Sequence, residues 1–237
     1  MSVIIAENEW LFAVDKPAGL IAHSDGRTEE PSLAEWLIKR YPYLAEVGEP
    51  WVSPQGVAYP VAGMVHRLDR TTSGIMLVAK TQDVYKYLKG EFKARRVEKK
   101  YRALLYGHIP RDEGEIVAEI MRSSTAPKRW YARPCLESDP RAAITRWTML
   151  ARLTDPDSGE PASYIEASPK TGRTHQLRVH FAAVGNPIVA DHLYAPERPA
   201  LFGFTRPALH AYRISLYLPD GKAVSYVSPL PSDFPVN

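Results

Sequence analysis

Most apolar residues of this chain fall in short runs of β-branched and aromatic residues. Such runs at Ser2–Ala6, Trp10–Val14, Met64–Leu68, Gly74–Lys80, Tyr101–Tyr106, Ile116–Ile120, Ala143–Leu150 and Ser163–Ala167 predict strands. Leu209–Leu218 and Lys222–Tyr226 flank Pro219-Asp220-Gly221, which predicts a hairpin. Helical spacing occurs in fewer places. Ser32 and Glu35 have capping-box spacing ahead of Leu33, Trp36, Leu37 and Tyr41, and Pro42 stops the run. Val84, Tyr87, Leu88 and Phe92 predict a helix over 82–95, and the turn Pro169-Lys170-Thr171-Gly172 leads into another at His175–Val184. Residues 44–62, with Pro50, Pro54, Pro60, Gly48 and Gly56, read as one long loop. Strands outnumber helices and rarely alternate with them. This predicts an α+β fold with a mixed, mainly antiparallel central sheet and flanking helices and loops.

Composition narrows the picture. A chain of 237 residues with 45% hydrophobic and 24% charged residues can bury a core and is not disordered. It is expected to form a single domain over 1–237, with room for two subdomains flanking a cleft. The one cysteine, Cys135, excludes an internal disulfide and any multi-cysteine metal cluster held by this chain alone. The apolar run Ile75–Ala79 is far below the roughly 18–20 residues of a membrane span, and Glu7 interrupts the start. A soluble cytoplasmic protein is expected, monomeric by default. Proline, 21 of 237 residues, exceeds the usual ~5% and stiffens many loops.

Charge is unevenly placed. Lys86, Lys89, Lys93, Arg95, Arg96, Lys99, Lys100 and Arg102 against Glu91 and Glu98 give a local +6, while the whole chain carries +3. A basic segment on a near-neutral body points to a polyanion site, although a solvated helix face accounts equally well for the charge alone.

Two segments carry candidate chemistry. In His66-Arg67-Leu68-Asp69-Arg70-Thr71-Thr72-Ser73-Gly74 an aspartate lies between two arginines, ahead of three hydroxyls and a glycine. Adjacent cations favour its ionised form, and a carboxylate on a rigid turn can act as nucleophile, base or ligand. An Asx turn with solvated arginines explains the same residues. Lys170-Thr171-Gly172-Arg173-Thr174-His175-Gln176-Leu177-Arg178-Val179-His180 places strong donors at a turn-to-helix junction, where Arg173 could hold an anion. His175 and His180, five apart, do not share a helical face as a zinc pair would, and hydrogen-bonded packing is the preferred reading of both.

Together with Lys16-Pro17-Ala18-Gly19 and Lys100-Tyr101, these segments resemble, in order and almost residue for residue at 66–74, the RluA-type pseudouridine synthases. The resemblance spans roughly residues 2–230. It implies the pseudouridine synthase catalytic fold and isomerisation of uridine in structured ribosomal or transfer RNA. It implies Asp69 as the catalytic aspartate, Tyr101 stacking on the uracil, Arg173 pairing with Asp69, Arg67 filling the space of the flipped nucleotide, and Leu177 packing under the base. Extrusion is a physical requirement for chemistry on a stacked base. The reaction exchanges one glycosidic bond for another without redox change, so no cofactor and no metal are expected. Many relatives carry an S4-type domain ahead of the Lys-Pro-x-Gly turn, and with the turn at residue 16 none is expected here. RNA binding is therefore expected from Lys93, Arg95, Arg96, Lys99 and Lys100 within the basic segment, with Arg122, Lys128, Arg129 and Arg133. Two rival readings are a non-catalytic RNA-binding or folding factor, and a metal-dependent hydrolase using His66, Asp69, His175, His180, Asp191 or His192.

Overall fold

The structure is a computed structural model that describes residues 3–24, 26, 30–126 and 129–235. The chain divides into two compact units, Met1–Glu98 with Arg213–Pro229, and Lys99–Tyr212 with Leu230–Asn237.

In the first unit β1 (Val3–Glu7) pairs antiparallel with β2 (Leu11–Lys16). Helix α1 (Leu33–Arg40) starts at the expected capping box: Ser32 Oγ accepts the Glu35 N–H, and Glu35 accepts the Ser32 N–H. Phe12 stacks on Tyr41 with ring centroids 4.6 Å apart, tying β2 to the end of this helix. The 44–62 region is not one loop. It holds a 3₁₀ turn at Pro42–Glu46 and a small hairpin of β3 (Trp51–Val52) with β4 (Ala58–Tyr59). Of the prolines that suggested a loop, Pro50 precedes β3, Pro54 lies between the two short strands and Pro60 follows β4, where no ladder N–H is needed.

Strand β5 (Ser73–Ala79) pairs antiparallel with β2 and is buried along its whole length, as its unbroken apolar run requires. The strand expected at Met64–Leu68 does not form. Met64 makes an isolated bridge to Val78, and the rest is irregular. Gly63 explains the close approach: its φ is +71°, and a Cβ there would meet the Ala79 carbonyl oxygen at 2.2 Å. Helix α2 (Gln82–Lys93) is capped by Thr81 and buries Val84, Tyr85, Leu88 and Glu91.

The second unit is an antiparallel sheet of mostly long strands. β6 (Glu98–Tyr106), β7 (Glu113–Arg122), β8 (Trp130–Pro134), β9 (Ala142–Thr154) and β10 (Pro161–Pro169) lie in the order β6-β10-β9-β7-β8, with antiparallel pairing from β10 to β6, β10 to β9, β9 to β7 and β7 to β8. Most run longer than their apolar runs suggested, and β8 carried no sequence signal because Trp130, Ala132 and Arg133 alternate too weakly. Helix α3 (Gln176–Ala183) is buried from Gln176 to Phe181. It belongs to a core with Leu105, Ile165, Phe181, Ile188, Val189 and Phe204. β11 (Leu209–Tyr217) starts in this unit and ends in the first, where it forms the expected hairpin with β12 (Ala223–Val227).

Candidate active site

Asp69 lies on an irregular turn of the first unit, half-buried, with the Thr72 N–H donating to its backbone carbonyl at 3.0 Å. The turn is pinned by the Lys-Pro-Ala-Gly segment. Lys16 is fully buried, and its Nζ donates to the carbonyls of Pro17 (2.9 Å), Leu20 (2.8 Å) and Arg70 (3.2 Å). The Gly19 N–H also donates to the Arg70 carbonyl at 2.8 Å. Three donors of one ammonium thus meet three carbonyls, a satisfied arrangement for a buried lysine. Upstream, His66 Nε2 accepts the Leu77 N–H at 3.0 Å, and its ring stacks on Phe92 at 4.8 Å. The turn is therefore held on both sides of Asp69 by backbone bonds.

The two arginines flanking Asp69 differ in their surroundings. Arg70 turns to Glu30, with Nη2 at 2.9 Å, and its Nε donates to the Gly19 carbonyl at 3.2 Å. It clamps the surface of the turn. Arg67 is exposed.

Tyr101, Arg173 and Leu177 belong to the second unit. Tyr101 lies on β6 opposite Ala167 and is partly buried against the core. Leu177 is 6% exposed within that core. Arg173 is exposed on the loop between β10 and α3. This loop is organised by Gln176, which sequence reasoning missed. Its Oε1 accepts from Thr171 Oγ1 (2.7 Å) and the Arg173 N–H (3.0 Å), and its Nε2 donates to the Ile144 carbonyl and Thr145 Oγ1, both at 3.0 Å. Thr171 Oγ1 in turn accepts the Ile144 N–H at 3.1 Å. The only hint in the sequence is an uncharged amide at the first helical position beside an apolar face. His175, at φ +53°, enters α3 in the left-handed region, and its Nδ1 lies 2.9 Å from Tyr194 Oη. A non-glycine residue there is strained and persists only where its surroundings hold it.

The remaining donors of this segment are structural. Arg178 makes a buried bidentate pair with Asp191, at 2.7 and 2.8 Å, and lies over the Tyr194 ring at 5.1 Å. His180 is fully buried, with Nδ1 3.0 Å from Thr145 Oγ1, and burial pulls its pKa down to about 4. Both histidines are thus hydrogen-bonded packing groups, as the spacing indicated. Asp191, weighed as a metal ligand, is the counter-ion of Arg178. Among the described residues no three His, Cys, Asp or Glu side chains come together as a metal site.

The basic segment is not one continuous surface. Lys86, Lys89, Lys93, Arg95 and Arg96 are exposed on α2 and the turn after it, and Arg96 pairs with the buried Glu91 at 2.5 Å. From residue 99 onward the strand alternation sorts the charges. Lys100 and Arg102 point one way and share Glu166, at 2.6 and 2.9 Å, and Arg102 stacks over Tyr212. Lys99 and Tyr101 point the other way. Lys99 Nζ donates to the Thr171 carbonyl at 3.2 Å, and desolvation with the nearby Lys170 lowers its pKa to about 8. Lys100 is therefore largely committed inside the protein. Of the outlying set, Arg122 and Arg129 are exposed, Arg133 pairs with Glu119, and Lys128 lies outside the described residues.

These geometries agree with comparisons to known proteins. Residues 11–183 match the family described as RNA pseudouridylate synthase. The chain is 36% identical over 243 aligned residues to the ribosomal large subunit pseudouridine synthase D of Neisseria meningitidis serogroup B, covering 97% of this chain and 58% of the relative. It is 34% identical to the dual-specificity RNA pseudouridine synthase RluA of Vibrio parahaemolyticus, covering 91% of this chain and 78% of that protein. Among solved structures, human RNA pseudouridylate synthase domain containing 1 superposes with a TM-score of 0.71 at 28% identity, covering 98% of this chain and 84% of the other. The chain spans less than two thirds of the length of several of these curated relatives. A match over most of the chain, the shared fold and the turn built around Asp69 together establish that this protein belongs to the RNA pseudouridylate synthase family.

Proposed function

We propose that this protein isomerises uridine to pseudouridine in structured RNA, ribosomal or transfer, and does so as a monomer in the cytoplasm. The observation that carries the reading is the Asp69 turn. Its backbone is pinned by Lys16, Gly19 and Arg70, so the carboxylate is presented from a rigid frame, as a reacting group requires. The C1′–N1 bond of the target breaks and a C1′–C5 bond forms. C5 loses its proton and N1 gains one, so atoms and charge balance without an added reactant. Asp69 serves either by attacking C1′ or by taking the C2′ proton to form a glycal. Tyr101 supplies a face for the uracil, a contact worth about 1–3 kcal/mol per stacked base. Arg173 keeps the reacting carboxylate ionised, Arg67 replaces the extruded nucleotide, and Leu177 backs the base pocket. The exposed Lys93 and Arg95 hold the RNA backbone electrostatically.

The test is Asp69→Asn. It is expected to lower pseudouridine formation by about 10⁴-fold or more, as loss of a nucleophile or base does, while RNA binding persists. Full activity in this variant sinks the mechanism. RNA binding without product in the wild type instead supports a non-catalytic RNA factor.

A further inference from the structure

Two lysines of this protein donate to loop carbonyls, and they differ in how completely they are satisfied. Lys16 spends its donors on three carbonyls. Lys99 is half-buried, and among the described residues of its unit its one hydrogen-bond partner is the Thr171 carbonyl. An ammonium has three donors, so two remain unspent. The position makes this costly. Lys99 shares its strand face with Tyr101, two residues on, and Lys170 from the β10–α3 loop is close enough to repel it. Among the described residues of the unit no carboxylate pairs with either lysine, whereas Lys100 and Arg102 on the opposite strand face share Glu166. The same loop continues through Gly172, whose missing Cβ would lie 4.0 Å from Lys99 Nζ, to the exposed Arg173. Like charges held together without a counter-ion, with donors to spare, are the electrostatic form of an anion site.

We propose that Lys99, with Lys170 beside it, binds a phosphodiester of the RNA next to the target nucleotide. The inference rests on the functional reading above and deepens it by assigning one cation a specific ligand. The ammonium is protonated below pH 8 and loses its charge as the pH rises through that value, so the contact weakens on the alkaline side. The charged and titratable groups around it are Lys170 and Arg173 on the β10–α3 loop and Tyr101 on β6. Of these, Tyr101 is an acid whose ionisation would weaken anion binding in the same direction, so Lys99→Arg, which keeps Tyr101, isolates the part due to Lys99.

The experiment uses the protein with in vitro transcribed, unmodified ribosomal RNA and transfer RNA. Pseudouridine formation by the wild type is measured first, and its absence overturns the functional reading itself. Affinity is then followed from 50 to 200 mM salt at pH 7 and pH 9 for the wild type, Lys99→Gln and Lys99→Arg. One lost phosphate contact should reduce the steepness of log affinity against log salt by about 0.7–0.9. Lys99→Gln is expected to show that reduction at pH 7 and no further change at pH 9. The wild type should resemble Lys99→Gln at pH 9, and Lys99→Arg, which stays charged, should keep the pH 7 behaviour at both values. A purely structural Lys99 would shift the melting temperature and leave the salt dependence alone, which overturns the proposal. If Lys99→Gln fails to fold, the comparison of wild type with Lys99→Arg at pH 9 decides, and equal loss in both overturns it.

Discussion

The turn that carries Asp69 and the loop that carries Arg173 are both irregular backbone, and each is pinned by one buried polar side chain. The chemistry of the pins is opposite. Lys16 is a cation whose donors converge on carbonyls from two chain segments. Gln176 is a neutral amide that both donates and accepts, joining its own loop to the Ile144 carbonyl and Thr145 of β9. A single-sign pin suits a turn whose orphan groups are all carbonyls. A two-sign pin suits a loop that leaves an N–H and a carbonyl needing partners at once. In both cases the loop conformation is specified by hydrogen-bond satisfaction, because an unpaired buried polar group costs about 1–3 kcal/mol.

The comparison can be broken at several points. Lys16→Met takes the lysine donor from the Pro17 and Leu20 carbonyls and leaves the Arg70 carbonyl with the Gly19 N–H alone, and it should lower stability by about 3–4 kcal/mol, read by urea unfolding, with activity lost in the fraction that still folds. Next comes acid. His180 is held neutral by burial, with a folded pKa of about 4 against 6.5 for the free side chain. The unfolded chain therefore binds the extra proton first. The stability from a neutral His180 is complete above pH 6.5 and is lost as the pH falls toward 4, about 3 kcal/mol in all. Thr145 Oγ1 joins His180 to Gln176, so this loss falls on the Arg173 loop. Comparing the pH dependence of unfolding in wild type and His180→Gln checks it, and identical slopes between pH 4 and 6.5 would refute it. Gln176→Ala should cost about 2 kcal/mol and weaken RNA binding by freeing the Arg173 backbone. Smallest is Arg70→Ala. Its pair with Glu30 is 53% and 40% exposed, so thermal unfolding should register under about 1 kcal/mol even though the residue adjoins Asp69.

Much was legible from the residues, and the reasons are local. The Ser32–Glu35 capping box, the Thr81-capped helix at 82–93 and the Pro-Asp-Gly hairpin formed as expected, since caps and turns depend on neighbours a few residues away. The family was legible in the nine residues from His66 to Gly74. The strand expected at Met64–Leu68 was wrong because apolar content is also what a loop needs when it packs on a buried strand through Gly63. The basic segment was legible as charge and misleading as a surface. Alternation along β6 and the position of Glu166 on β10, distant in sequence but adjacent in the sheet, divide it into a neutralised face and a face with spare donors.

By itself the chain of residues determined most of the elements that could form and which carboxylate we propose for the reaction, because each of these is written in short-range pattern. Which polar groups became structural pins and which kept unspent donors was decided only in three dimensions. Lys16 and Lys99 are the same side chain at the end of one strand and the start of another. The number of carbonyls that folding brought to each ammonium, a matter of contacts distant in sequence, made one a fully bonded support and left the other short of partners.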